Sequence, residues 1–163
     1  MSVVLSPASA PTAQQTPRLL LPILAGGAVA GALDLTAAFL TFGRNVPKGI
    51  AMGLFGSRAI HGGAGMWIMG VLLHFTIAFG AAAIYCLAAR RLTYLRESFI
   101  VCGLFYGIAV WLVMNLVVLP LSAFPVKTNT FTRAGLTQGI LIHMLIIGLP
   151  IAISARLFSK PAA

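Results

Sequence analysis

Between Leu19 and Gly43 the chain reads LLLPILAGGAVAGALDLTAAFLTFG, a stretch with one ionisable side chain, Asp34. An apolar run of about 20 residues is long enough to cross the roughly 30 Å hydrocarbon core of a bilayer as a helix. Inside that core every backbone N–H and C=O has to be satisfied within the chain, as it is in a helix. Three further runs of the same kind follow. The spans expected are about 19–42, 67–89, 99–122 and 136–158. The expected fold class is therefore all-α, an integral membrane four-helix bundle forming a single domain over 19–160.

Charge supports this reading. Only 8% of residues are charged, against roughly a quarter in a soluble domain. The net charge of +9 comes from eleven Lys and Arg set against Asp34 and Glu97. The cations flank the apolar runs, where they meet anionic lipid headgroups, and no basic face is left for a nucleic acid. Cys86 and Cys102 lack CxxC, CxxCH or zinc spacing and read as packing residues.

Residues 1–18, rich in Ser, Pro, Thr, Ala and Gln, read as a disordered tail. Arg18 ahead of an apolar run, with Ala28-Val29-Ala30 inside it, has the outline of a signal peptide. The run continues to Gly43, however, too long for a signal core. The connection 44–65 carries a short interfacial or re-entrant helix at about 48–60, where Ile50, Leu54 and Phe55 are set among Lys48, Ser57 and Arg58. Its GSRAIHGGAG segment lacks the phosphate-loop spacing GxxxxGK[ST], and His61 reads as a loop histidine. An even number of spans places both termini on one side, with Arg18, Arg90, Arg91, Arg96, Arg156 and Lys160. Arg44, Lys48, Arg58, Lys127 and Arg133 lie on the other. The compact RRLTYLR loop tips the balance to cytoplasmic termini.

Four polar side chains fall inside the spans: Asp34, His74, Asn115 and His143. Counted from the expected span ends at 1.5 Å per residue, each lies roughly 10–13 Å from the same membrane face. Gly70 to His74 and Gly139 to His143 both read G-x-L-x-H, and Gly27/Gly31 and Gly103/Gly107 both form GxxxG, a spacing that lets helices approach closely. The chain thus has the outline of two repeated helical hairpins, with a glycine one turn from each imidazole.

Asp and His in a hydrated cavity exchange protons, so Asp34, His74, Asn115 and His143 are candidates for handling protons or a small polar solute. The same residues fit two alternatives. His74 and His143 have the chemistry of axial ligands to a haem b, or with Asp34 that of a divalent-metal site. In a purely structural or assembly protein, they would hold helices together. No GxSxG, HExxH or paired-carboxylate motif points to an enzyme.

The stretches Gly27–Asp34, IAMGLFG, GVLLHF, MNLVVLPLSA and GILIHMLIIGLPIA together resemble a family of small bacterial inner-membrane proteins of unknown function. The resemblance covers nearly all of the chain after residue 18. It implies a four-span protein of the bacterial inner membrane and assigns no activity to any residue. Separately, four short helices enclose little volume, so a homo-oligomer or a membrane partner is expected.

Overall fold

The computed structural model describes residues 19–125 and 132–158. The stretch read as a tail, the middle of the last connection and the final residues lie outside them.

Four long apolar helices pack into a bundle: α1 (Leu20–Phe42), α4 (Ala64–Arg91), α6 (Phe99–Leu121) and α7 (Arg133–Phe158). Three short helices join them: α2 (Val46–Phe55), α3 (Arg58–His61) and α5 (Tyr94–Glu97). The chain buries only 17–33% of the most apolar window of each long helix. The rest of that apolar surface, including Leu40, Ile84 and Phe105, faces outward, so the driving force for this arrangement requires a lipid surround.

Helix α1 lies between α4 and α7, and α7 lies between α1 and α6. Small residues make these contacts. A Cβ at Gly27 or Gly31 would strike Phe79 or Phe75 of α4, and one at Gly26 would press on Ile151 and Ser154 of α7. In the second hairpin the backbones meet directly. A Cβ at Gly107 would strike His143 and Met144, and Gly103 faces Gly148 and Ala152. The core is built from similarly small groups, with Ala30, Ala82, Cys86, Ala89, Cys102, Ala152 and Ala155 packed around Tyr85, Ile147 and Ile151. Both cysteines are free thiols. One hydrogen bond also crosses this packing, from Ser154 Oγ to the Pro22 carbonyl (2.8 Å).

Two features depart from straight α-helices. Met114–Val118 in α6 and His143–Gly148 in α7 are π-helical. Each segment ends two residues before a proline, Pro120 and Pro150. A proline has no N–H to donate and crowds the carbonyl four residues back; a widened turn relieves that crowding.

The first connection also differs in detail from a single helix over 48–60. It forms α2 and then α3, broken at Gly56, whose φ of 66° suits a residue without a Cβ. Pro47 and Ala51 of α2 are buried. The Pro47 backbone occupies the space where a Cβ of Gly70 would lie. The Gly53 carbonyl takes a hydrogen bond from the Ala123 N–H (2.8 Å). Trp67 Nε1 donates to the Arg44 carbonyl (3.1 Å), and its ring stacks on Phe39. Helix α2 is thus fastened to α4 and to the end of α6.

Candidate functional site

The bundle is tightly packed around Cys86, Ala152 and Ala155. Towards α2 it opens into a cavity of about 100 Å³. All four spans contribute to its wall: Ala30, Gly31 and Asp34 from α1, His74, Ile77, Ala78 and Ala81 from α4, Val110 and Met114 from α6, and His143 and Ile147 from α7. Ile50 of α2 completes it.

Asp34 reaches the wall because it follows Ala30 and Gly31 by one turn, on the α1 face that packs inward. It is half-buried. Among the described residues no donor reaches its carboxyl group, and every fully buried side-chain nitrogen or oxygen has a partner. His143 shares the cavity wall with it.

His74 Nε2 lies 2.8 Å from the Gly31 carbonyl, a bond from α4 to α1. A carbonyl can only accept, so Nε2 carries the hydrogen. In a neutral ring Nδ1 then holds the free lone pair. Phe75 packs edge-on against the imidazole, with ring centroids 5.5 Å apart. His143 Nδ1 lies 2.9 Å from the Gly139 carbonyl of its own helix, which leaves Nε2 as the basic nitrogen. The two G-x-L-x-H segments therefore do different work, one joining two helices and the other bonding within its own. Their glycines do not leave space beside the imidazoles. The place of a Gly70 Cβ is filled by Pro47, and that of a Gly139 Cβ by the Trp111 indole.

The structure brings three of the four intramembrane polar residues to one cavity and leaves out the fourth. Asn115 sits in the π-helical segment of α6, and its Nδ2 donates to the Trp111 carbonyl (2.9 Å). Its neighbour Met114 reaches the wall. Helical counting cannot place a side chain across a π turn, because the extra residue rotates everything beyond it. The prolines were the available signal. Ile50 was also missed, since nothing in the sequence says that α2 folds back against the spans.

The cavity limits what the site can hold. Pockets for cofactor-sized ligands run from roughly 300 to 1,000 Å³, and a porphyrin between His74 and His143 does not fit about 100 Å³. Among the described residues no three His, Cys, Asp or Glu side chains gather as a metal-binding group, so Asp34, His74 and His143 share a wall without forming a ligand set. At about 30 Å³ per liquid water, the space suits roughly three waters or a solute of that size.

No protein-family model matches the chain, and no curated protein and no solved structure is similar to it. The identification that stands rests on the four packed apolar helices: the chain is a multi-pass helical membrane protein.

Proposed function

We propose that the cavity handles protons, or a polar solute of about the size of a few waters, through Asp34, His74 and His143. The observation that carries this reading is the Asp34 carboxyl group, set in the cavity wall with no donor from the described residues. A carboxylate within a span has to be solvated or protonated. Water in the cavity would do the first, and exchange with an imidazole lone pair the second. Each imidazole is held by one nitrogen and keeps the other for a proton. The setting that goes with this reading is the bacterial inner membrane with cytoplasmic termini, as a homo-oligomer or with a membrane partner.

A structural role is favoured by a separate observation: His74, Asn115 and His143 each bond to a backbone carbonyl. Proteoliposomes with an entrapped pH dye distinguish the two. Under an imposed proton gradient, Asp34→Asn should cut proton flux at least about tenfold while thermal unfolding in detergent stays within about 1 kcal/mol of the parent. Flux no higher than in empty liposomes, together with equal loss of folded protein in Asp34→Asn, His74→Phe and His143→Phe, would establish the structural role instead.

A further inference from the structure

A second concavity lies at the opposite end of the bundle, on the outer surface between α4 and α6. It has a volume of about 440 Å³, within the range of ligand-sized pockets. It exists because α4 packs on α1 and α6 on α7, while one tyrosine reaches from α6 to α4 and another from α4 to α5. Tyr106 donates to the Ala81 carbonyl (2.7 Å) and Tyr85 to the Leu95 carbonyl (2.8 Å). Their rings meet edge to face with centroids 4.9 Å apart. Both hydroxyl hydrogens are thus spent on backbone acceptors. What remains for an occupant is ring surface and the hydrocarbon of Ile84, Ala88, Val101 and Phe105, a lining suited to an alkyl chain.

The mouth of this groove is basic. Arg91 follows Ala88 by three residues, on the same side of α4, next to Arg90. Tyr94 and Leu95 of α5 line the groove and Arg96 comes next. Arg156 fixes α5 in place: its Nη1 donates to the carbonyls of Arg96 (3.0 Å) and Glu97 (3.1 Å), and its guanidinium lies 4.6 Å from the centre of the Phe99 ring. Arg90, Arg91, Arg96 and Arg156, with the single acid Glu97, thus belong to the segments at which the apolar groove reaches the end of the helices.

We propose that this groove binds one anionic phospholipid, with an acyl chain along α4 and α6 and the phosphate among Arg90, Arg91 and Arg96. A soluble phosphate would use the arginines and leave the groove empty. A zwitterionic lipid would fill the groove without answering the excess positive charge. Only an anionic lipid satisfies both ends, as basic pockets between membrane helices do. The site is separate from the cavity at Asp34 and does not depend on its role.

Native mass spectrometry of the full chain tests the proposal, using micelles that contain equal phosphatidylglycerol and phosphatidylcholine with matched chains. One phosphatidylglycerol should be retained, with about tenfold preference over phosphatidylcholine, and millimolar inorganic phosphate should not displace it. The triple variant Arg90→Gln, Arg91→Gln, Arg96→Gln should bring the preference close to parity. Ala109→Phe, which places a ring in the exposed groove wall, should lower retention of both lipids. A matched triple at the other end, Arg44→Gln, Lys48→Gln, Arg58→Gln, should leave the preference unchanged. Equal retention of the two lipids by the parent, equal effects of the two triples, or full retention by Ala109→Phe would each overturn the assignment.

Discussion

Replacing Gly107 by alanine adds one methyl group at the closest approach of two membrane helices. The new Cβ would lie 2.5 Å from Met144 Cα and 2.6 Å from the His143 carbonyl carbon, and nearer still to the carbonyl oxygen. Those are backbone atoms, so no side chain can rotate away. Ordinary Cβ contacts begin near 3.4 Å, and α6 has to retreat from α7 by roughly 1 Å. Overpacking of this kind costs about 1–3 kcal/mol. Gly80→Ala is the matched control, because Gly80 sits on α4 with nothing within 4 Å of its absent Cβ. There the exchange removes only the flexibility of glycine and should stabilise by about 0.5–1 kcal/mol. The two variants should therefore differ by about 1.5–4 kcal/mol when helicity is followed through unfolding in mixed micelles with increasing dodecyl sulfate. Because His143 is one of the residues struck, Gly107→Ala should also disturb the cavity. Equal stabilities would refute the packing argument, and with it the view that α6 and α7 meet backbone to backbone.

Other perturbations probe single contacts. Ser154→Ala removes the bond from α7 to the Pro22 carbonyl and should cost about 0.6–1.7 kcal/mol, read from the same unfolding curve. Tyr106→Phe, which loses the bond to the Ala81 carbonyl, should cost a similar amount; cysteine cross-linking between α4 and α6 should show those two helices loosened while α6 and α7 stay paired. Pro150→Ala removes the reason for the π-helical turn in α7. With a continuous α-helix restored, His143 should turn relative to Ile147 and Ile151, which a changed imidazole environment in NMR would report. His74→Phe loses the bond to Gly31 and should destabilise by about 1 kcal/mol, more than Asp34→Asn, which breaks no hydrogen bond to a described residue.

The fold class was legible because its cause is local. Four apolar runs of span length leave a chain few ways to satisfy its backbone in lipid, and no knowledge of their contacts is needed to say so. The GxxxG pairs are legible in the same way: a residue without a Cβ marks a place where something comes close. What comes close is not written at the glycine. Gly103 and Gly107 meet the backbone of α7 whereas Gly27 and Gly31 meet phenylalanines of α4, although both pairs carry the same short pattern, and Gly70 of the first G-x-L-x-H segment admits α2.

The site divides along the same line. Asp34, His74, Asn115 and His143 stand out from composition alone, since a polar group in an apolar span requires a reason to be there. Which of them share a cavity depends on angles that spacing does not contain. The π turns ahead of Pro120 and Pro150 shift the facing of α6 and α7, and α2 folds back to bring Ile50 to the wall. Even the repeated G-x-L-x-H segments acquire different hydrogen-bond partners once their surroundings differ. Sequence by itself determined that these helices belong in a bilayer, because transfer from water to hydrocarbon depends on each residue's own chemistry. Tertiary structure alone decided which polar groups meet, because that depends on the relative rotation of helices whose apolar outer faces give lipid no reason to prefer one rotation over another.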